Sequence, residues 1–398
     1  MMYLRNPGFS PKPPSLRQPW VWWVRQKYNL KIYFEYLKYR RRLKGYDLSR
    51  YIFSGPQANR HIRPVTPNSL VRPLKIFAYW KHSNWENYNL LPALQTLGEV
   101  THFDPLQVGF DPSAPSKPNL LARDAMQDEL WRQLASKQNW GVLFFYASGA
   151  HFSPEFVKKL QTLDIPMINL GLDDVVYFED EKVNGVYRGN ADIARYFTVH
   201  CTSSIIGFVK ALAAGATPYY LPGGANPDIY QRLPDFKRDL DVVFIGARFY
   251  DRDEVIDYLQ LQGIKIQAYG MGWLNGVVTN QQQIELLNRA KIVLGFNRYS
   301  GSDWLGFKGR DFEVPMTGAF HLVNNFPDLS NAYAPGIEVG VYNSKRDLLS
   351  KIRHYLSHPA EREQIARAGW LRATAEHTWQ ARFKTLFEKL GLLTQEAP

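Results

Sequence analysis

The segment LPGGANPDIYQRLPDFKRDLDVVFIG, residues 221–246, ends one run of alternating strands and helices and begins another. Its first part, 221–240, is rich in Gly, Pro and charged residues, a composition typical of a linker. The residues that follow Asp241 are apolar up to a glycine, which is typical of a strand buried on both faces. The segment therefore predicts a boundary between two units of similar architecture.

Short apolar runs alternate with helical patterns on both sides of this boundary. LKIFAYW (74–80), WGVLFFYA (140–147) and IPMINLGL (165–172) precede it, and IKIQAYG (264–270) and KIVLGFN (291–297) follow it. Apolar strands separated by helices predict parallel sheets that are covered by helices on both faces.

We therefore expect an α/β protein with two tandem Rossmann-like domains that face a cleft. The predicted parts are a basic aromatic N-terminal extension (1–74), an N-terminal Rossmann-like domain (75–222), a C-terminal Rossmann-like domain (223–377) and a C-terminal helix (378–398).

The positive charge of the chain is concentrated in the extension. The net charge is +11, and residues 1–74 contain fifteen Lys or Arg and two acidic residues, so the remainder sums to −2. This distribution argues against nucleic-acid binding by the whole protein. A single cysteine, Cys201, excludes an intrachain disulfide and fits a reducing compartment. No signal-peptide pattern and no apolar run of ~18 residues is visible, so we expect a cytoplasmic protein.

The extension mixes aromatic and basic residues in PWVWWVRQKYNLKIYFEYLKYRRRLKGY (19–46). On a helix, Trp23, Leu30, Phe34 and Leu37 share one face, and a basic cluster closes the segment. This pattern suits the surface of an anionic membrane, here the inner membrane face. An arm that packs on the body with a basic outer face explains it equally well. RNA binding is the weaker alternative because no RNA-binding motif accompanies the segment.

Familiar cofactor and metal signatures are absent or weak. The sequence has no P-loop and no HExxH, and one cysteine cannot form a CxxC zinc site. Gly270 and Gly272 form a lone GxG, which indicates a tight turn better than a dinucleotide site. Asp239 and Asp241 form a DxD that leads straight into a buried strand, so we expect no metal and no cofactor.

Basic residues recur after successive strands of the second domain. Arg248 and Arg252 follow one predicted strand, Arg298 follows another, and Lys308 and Arg310 precede the next helix. Ligands of open parallel sheets sit at the carboxyl ends of the strands, where helix N-termini favour phosphate. The recurrence predicts a site for a diphosphate, although each residue alone could be an ordinary surface charge.

Several motifs in this order resemble glycosyltransferases of the GT-B fold, group 1 type. YYLPGGANPDIY is similar to the linker that opens their second domain, and DVVFIGAR to the strand that follows it. GRDFEVPMTGAFHLVNN resembles the helix that holds the nucleotide ribose, and HTWQARFKTLF a closing helix. The Arg-x-Phe-Glu form and the DDVVYF of the first domain are closest to the spore-maturation, CgeB-like group. The resemblance covers roughly residues 75 to 390.

The resemblance implies roles for residues of the second domain. Glu313 would accept hydrogen bonds from the ribose hydroxyls of a nucleotide sugar. Arg248, which follows Gly246, would meet the diphosphate, and Lys308 and Arg310 would add positive charge against the leaving group. Fixed cations can stabilise that charge without a metal. The alternative for Arg310 and Glu313 is an i,i+3 surface ion pair.

One position departs from the family pattern. Many retaining members carry a glutamate eight positions before the ribose-binding one, and Leu305 stands there. Asp303 is the nearby carboxylate that could replace it. The stereochemical outcome, retaining or inverting, stays open.

An inverting enzyme needs a general base on the acceptor side, in the first domain. His151, in the loop after a central strand, is the first candidate. Asp173 and Asp174, which follow the next strand, are the second, and His82 and Glu86 are the third.

The sequence thus predicts a glycosyltransferase of polysaccharide biosynthesis, with a nucleotide-sugar donor and a glycan or lipid-linked acceptor. Two alternatives stay open: a catalytically silent GT-B protein that binds glycan or nucleotide, and a nucleotide-sugar epimerase.

Overall fold

The computed structural model describes residues 19–55, 57–65, 73–82, 84–112, 120–136, 139–233, 237–249, 252–299 and 302–393. The predictions for the ends of the chain and for the linker fall partly outside these ranges, at 1–18, 66–72, 234–236 and 394–398.

The described residues form thirteen strands and twelve α-helices. The strands are β1 (Lys75–Tyr79), β2 (Glu99–Phe103), β3 (Val142–Phe145), β4 (Met167–Gly171), β5 (Lys182–Val183), β6 (Val186–Tyr187), β7 (Val199–Thr202), β8 (Pro218–Tyr220), β9 (Leu240–Ile245), β10 (Ile266–Tyr269), β11 (Ala290–Leu294), β12 (His321–Asn324) and β13 (Gly340–Tyr342). The helices are α1 (Pro19–Arg42), α2 (Asn84–Gln95), α3 (Leu120–Ser136), α4 (Pro154–Gln161), α5 (Asp174–Tyr177), α6 (Ile205–Ala213), α7 (Arg252–Leu261), α8 (Asn280–Arg289), α9 (Arg310–Met316), α10 (Lys345–Ser357), α11 (Pro359–Glu376) and α12 (Trp379–Lys389).

The chain divides into two compact units. The N-terminal unit comprises Ile32–Pro222 and Trp379–Pro398, and the C-terminal unit comprises Met1–Lys31 and Gly223–Thr378. The helix α12 belongs to the N-terminal unit because it packs on α2, where the rings of Trp85 and Trp379 lie 5.7 Å apart.

The N-terminal unit is built on a six-stranded parallel sheet in the order β2-β1-β3-β4-β7-β8. The central strands β3 and β4 are buried along their whole length, which is why their sequences show no alternation. Ser153 caps α4 by accepting a hydrogen bond from the Phe156 amide (3.1 Å), and Pro154 is the first helical residue. This confirms the predicted helix start. The chain places β2 on one side of β1 and the later strands on the other side, so the sheet has a reversal point between β1 and β3.

The C-terminal unit is built on a five-stranded parallel sheet in the order β10-β9-β11-β12-β13. Here the order reverses between β9 and β11. Ser344 caps α10 by accepting from the Asp347 amide (3.1 Å), and the Asp347 carboxylate accepts from the Asn343 amide (2.9 Å). The predicted α/β class with two parallel, Rossmann-like sheets is confirmed.

The helix α1 has one buried face and one exposed face. From Ile32 onward the buried face packs within the N-terminal unit through Ile32, Glu35, Tyr39 and Leu43, which follow one another at helical spacing. Glu35 pairs with the fully buried Lys210 of α6 (2.8 Å). The packing alternative for the extension therefore holds for this face.

The residues predicted to share the other face of α1 are largely exposed. Trp23, Leu30 and Phe34 are 67%, 47% and 61% exposed, and Leu37 is half-buried. Within the part of the chain that the structure describes, none of the helices combines the length and apolar character needed to cross a membrane.

Candidate functional site

The reversal point of the C-terminal sheet brings together the residues that follow β9 and β11. Ligands of open α/β sheets bind at such a point, outside the carboxyl ends of the strands. The turn at Gly246 follows β9, and Asn297 follows β11. The start of α9 contacts both segments. Arg310 Nε donates to the Ile245 carbonyl (3.4 Å), and Asn297 Nδ2 donates to Asp311 (2.7 Å).

The turn at Gly246 is packed against the turn after β10. Trp273 Nε1 donates to the Gly246 carbonyl (2.8 Å). Gly270 has φ +125°, and a Cβ there would lie 2.5 Å from the same carbonyl oxygen. The GxG of Gly270 and Gly272 is therefore a pair of positive-φ glycines in a tight turn, as the sequence predicted.

Arg248 presents its guanidinium at the edge of this turn. Its amide is fixed by a hydrogen bond to the Met271 carbonyl (2.8 Å). Its side chain is exposed, lies 3.5 Å from Asp253 and sits over the ring of Trp273, 5.5 Å from the centroid. A fixed backbone and a solvent-accessible guanidinium suit the recognition of a phosphate.

Glu313 and Arg310 form an ion pair in the first turn of α9, but it is not the surface pair that the sequence left open. Glu313 is 1% exposed, and its Oε2 accepts from Arg310 Nη1. Arg310 Nη2 also donates to Gln283 (2.9 Å), and desolvation lowers the pKa of Arg310 while the nearby Tyr230 opposes the shift. Glu313 Oε1 is buried and accepts no hydrogen bond from any described residue. Buried carboxylate oxygens normally accept hydrogen bonds, so this oxygen is the one acceptor of the Arg310–Glu313 pair that a ligand could reach with a donor.

A buried network that the sequence did not predict holds this region together. Asp311 accepts hydrogen bonds from Asn297 Nδ2 (2.7 Å), the Lys308 amide (2.7 Å) and His321 Nε2 (3.0 Å). The other ring nitrogen of His321 faces the Val293 carbonyl (3.2 Å). Asp311 thus ties the segment after β11 and the start of α9 to β12.

Lys308 and Asp303 lie in the segment between β11 and α9. The Lys308 ammonium stands 3.9 Å from the centroid of the Tyr299 ring, a cation–π contact. The Asp303 carboxylate accepts from Asn29 Nδ2 (2.8 Å) and from Arg298. Both of these contacts lie within the C-terminal unit. They do not indicate that Asp303 replaces the glutamate that retaining members carry at the position of Leu305.

Both carboxylates of the DxD form ion pairs. Asp239 makes a bidentate pair with Arg289 (2.9 and 2.6 Å), and Asp241 pairs with Lys291 (2.6 Å). Each carboxylate of the motif therefore has a cationic partner within the C-terminal unit.

The N-terminal unit contains a cavity of about 790 Å³ at the reversal point of its own sheet. The cavity is lined by residues that follow β1, β3 and β4. All of the predicted acceptor-side residues except His82 line it: His151, Asp173, Asp174 and Glu86.

His151 is held in the cavity wall by Tyr79, whose hydroxyl lies 3.1 Å from His151 Nδ1. Burial, followed by the positive charges of Lys81 and Arg188, lowers the pKa of His151 to about 3. The ring is therefore neutral at physiological pH and is a weak proton acceptor.

The Asp174 carboxylate accepts hydrogen bonds within the N-terminal unit, whereas the Asp173 carboxylate accepts none from the described residues. Asp174 is 2% exposed and accepts from Asn190 Nδ2 (2.9 Å) and His200 Nε2 (2.8 Å). His200 Nδ1 faces the Asn169 amide (3.3 Å), so Nε2 carries the proton that Asp174 accepts. Asp173 is exposed at the start of α5, and its side chain does not cap that helix. Asp174 is therefore a hydrogen-bonded part of the cavity wall, and Asp173 faces solvent.

Glu86 shared the third place among the sequence candidates with His82, and its carboxylate is partly buried. Its Oε2 is buried and has no hydrogen-bond partner among the described residues. Desolvation raises the pKa of Glu86, and its own backbone amide, followed by the charges of His82 and Lys81, only partly opposes the shift. His82 lies against Asn87 (2.8 Å) and does not line the cavity.

Comparison with known proteins finds a family model that matches part of the chain and solved structures with a similar fold. Residues 252–388 match the family model described as "Glycosyl transferase-like". No curated protein matches the chain.

Three solved structures are similar over most of their length. Sucrose-phosphate synthase from Thermosynechococcus elongatus aligns with a TM-score of 0.58 and 13% identity, over 80% of this chain and 99% of that one. HepE of Anabaena in complex with UDP and glucose gives 0.57 and 11%, over 80% and 100%. The lipopolysaccharide outer core galactosyltransferase WaaB gives 0.54 and 12%, over 80% and 99%. With its two parallel sheets and these neighbours, the chain has the GT-B fold, and its residues 252–388 are similar to the family described as glycosyl transferase-like.

Proposed function

We propose that this protein is a glycosyltransferase that moves a sugar from a nucleoside diphosphate donor to an acceptor hydroxyl. The observation that carries the proposal is the orphaned, buried Oε1 of Glu313 beside Arg310, at the reversal point of the C-terminal sheet. The family model of residues 252–388 supports the same reaction class.

The chemistry of this site fits a nucleotide. A buried acceptor costs free energy unless a donor reaches it, and the hydroxyls of a ribose are such donors. Arg248 and Lys308 supply positive charge for a diphosphate. A Cβ at Gly246 would lie 2.9 Å from the Phe244 ring, so the turn after β9 has no room for a side chain there.

We take the donor to be a UDP-sugar and the transfer to be independent of metal. HepE of Anabaena has been solved with UDP and with UDP-glucose, which supports uracil as the base of the donor. Arg248, Lys308 and Arg310 would stabilise the charge that develops on the leaving diphosphate. Membership of the CgeB-like group fits the Arg-x-Phe-Glu form of α9.

A donor screen tests the function. We expect one UDP-sugar among UDP-, GDP-, ADP- and dTDP-sugars to raise the melting temperature, because a ligand that binds only the folded state stabilises it. We also expect slow hydrolysis of that donor that continues in EDTA. A protein that no donor stabilises would contradict the nucleotide-sugar site. Binding without turnover in the presence of any acceptor would identify a silent binding protein.

We propose that the exposed face of α1 binds an anionic membrane surface. The enzyme would then work in the cytoplasm, at the inner membrane face. Such a location favours a lipid-linked or surface-glycan acceptor. Trp23, Lys27, Leu30, Phe34 and Arg41 are exposed and follow one another at helical spacing. Aromatic and aliphatic side chains enter the interface, while the cations attract anionic headgroups.

Vesicle flotation tests this proposal. The full chain should float with phosphatidylglycerol-containing vesicles and less with phosphatidylcholine alone. Changing Trp23, Leu30 and Phe34 together to Ser should reduce flotation several-fold. Changing the exposed Leu121, Leu261 and Leu371 to Ser provides a matched control that should float like the wild type. Equal flotation of both triple variants would remove the membrane proposal.

A further inference from the structure

The first half of α1 belongs to the C-terminal unit, although it lies far in sequence from the rest of that unit. Its residue Asn29 is 2% exposed. Asn29 Nδ2 donates to Asp303 Oδ2 (2.8 Å), and Asn29 Oδ1 accepts from the Asp303 amide (2.7 Å). One amide side chain therefore binds both the backbone and the carboxylate of the same residue. Two such bonds fix the orientation of that residue as well as its position.

Two arginines reach the other oxygen of the Asp303 carboxylate. Arg298 Nη1 donates to Oδ1, and Arg25 Nε, one helical turn before Asn29, lies 3.8 Å from it. The Asp303 side chain is 11% exposed, and a carboxylate this far from water is costly unless partners satisfy it. Asp303 is therefore the point at which α1 holds the segment between β11 and α9.

This segment leads from Asp303 to a cation of the donor site. The residue after Asp303 is Trp304, whose carbonyl accepts from the Tyr299 amide (2.9 Å). Tyr299 is 2% exposed, and the Lys308 ammonium stands 3.9 Å from the centroid of its ring. The contact of α1 with Asp303 thus reaches Lys308 through one backbone hydrogen bond and one cation–π contact.

The Tyr299 ring has little room to move. A Cβ at Gly306 would lie 2.2 Å from Tyr299 Oη, so the ring lies directly against the backbone of this glycine. The same glycine is fixed by Asn297, whose carbonyl accepts from the Gly306 amide (3.0 Å) and whose Nδ2 donates to the Gly306 carbonyl (3.2 Å). In a closely packed segment, a shift at Asp303 is passed on to its neighbours.

We propose that Asn29 is a positioning residue of the donor site: it fixes the segment before α9 and thereby holds Lys308 where the diphosphate binds. The inference rests on the proposed function. Asn29 acts through Asp303 and Tyr299. The basic aromatic extension then contributes to nucleotide binding through a buried side chain, whether or not its exposed face binds a membrane.

Asn29→Ala tests the inference in the full chain, without vesicles. It should weaken binding of UDP by about 3- to 30-fold, the range for residues that act on a site without touching its ligand. Uridine has no diphosphate for Lys308 to bind, so its Kd should change by less than about twofold. Isothermal titration measures UDP, and displacement of UDP measures uridine. General damage to the unit would weaken both ligands alike.

An exchange of the two side chains keeps the inference testable if Asn29→Ala lowers the melting temperature. Asn29→Asp places a second carboxylate against Asp303 and should weaken UDP more than Asn29→Ala does. Asn29→Asp combined with Asp303→Asn again pairs one amide with one carboxylate, in exchanged places, and should recover most of the affinity. Gln26→Ala is the matched control, because it removes a partly exposed amide from the same half of α1. It should leave both Kd values unchanged.

Three results would overturn this inference while the wild type still binds its donor. They are wild-type affinity for UDP in the Asn29→Ala protein, an equal loss for UDP and uridine, and a double variant that binds UDP no better than Asn29→Asp. A wild-type protein that no UDP-sugar stabilises would instead overturn the proposed function.

Discussion

Replacing Glu313 by alanine is expected to weaken binding of the nucleotide-sugar donor by roughly 10- to 150-fold. Hydrogen bonds to a charged group are worth about 1.5–3 kcal/mol, and the variant removes the carboxylate that we assign to the ribose. Isothermal titration with UDP and with the donor measures the change directly. Because UDP contains the ribose, both ligands should lose affinity by a similar factor.

Two further variants separate this effect from a loss of folding. Glu313→Gln keeps the shape of the side chain and an oxygen for Arg310, but it presents an NH₂ group where the ribose needs an acceptor. It should therefore melt near the wild type and still bind UDP weakly. Glu376→Ala removes an exposed glutamate of α11 that pairs with Arg372, and it should leave the Kd unchanged. Wild-type affinity in a folded Glu313→Ala protein would refute the assignment of the ribose to Glu313.

Replacing Glu35 by alanine is expected to destabilise the N-terminal unit by about 3–5 kcal/mol. Lys210 Nζ is fully buried, and its partners are Glu35 and the carbonyls of Asp174 (3.3 Å) and Val175 (2.8 Å). Removing the carboxylate leaves a buried ammonium without a counter-charge, which is the costly way to break such a pair. Urea unfolding followed by circular dichroism measures the loss.

The double variant Glu35→Leu with Lys210→Met should recover much of this loss, because both charges then leave the interior together. Lys38→Ala is the matched control on the same helix. The Lys38 side chain is exposed where it pairs with Glu179, so its removal should cost under about 1 kcal/mol. A Glu35→Ala protein as stable as the Lys38→Ala protein would show that the buried pair does not hold α1.

The same pair predicts a pH dependence with a definite sign. Desolvation lowers the pKa of Lys210 in the folded state, and Glu35 opposes the shift, so Glu35→Ala should lower the pKa further. Between the folded and unfolded pKa values the unfolded state binds more protons, and stability therefore rises with pH. The destabilisation by Glu35→Ala should be smaller at pH 9 than at pH 7.

Much of the architecture was predictable because it rests on local patterns. Continuous apolar runs such as those of β3 and β4 reflect burial on both faces, and Ser153 with Pro154 specifies a helix start by its own hydrogen bond. The segments Gly246–Arg248 and Lys308–Glu313 could be selected because they follow or precede these elements at fixed positions.

The environments of the site residues were not predictable in the same way. Asp311, Asn297 and His321 are ordinary polar residues in the sequence, and only their convergence across β11, α9 and β12 makes a network. Asp174 was predicted beside Asp173, yet one is buried in a hydrogen-bonded set and the other is exposed.

The sequence by itself determined the two α/β units, the linker between them and the glycosyltransferase-like order of motifs, because strand burial and turn chemistry are encoded in neighbouring residues. The tertiary structure alone decided which charged groups have partners. It buried Glu313 with one oxygen unsatisfied, gave Asp239 and Asp241 cationic partners, and left Glu86 with an orphaned oxygen in the cavity. The physical reason is that desolvation and pairing depend on groups far apart in the chain, which no local pattern records.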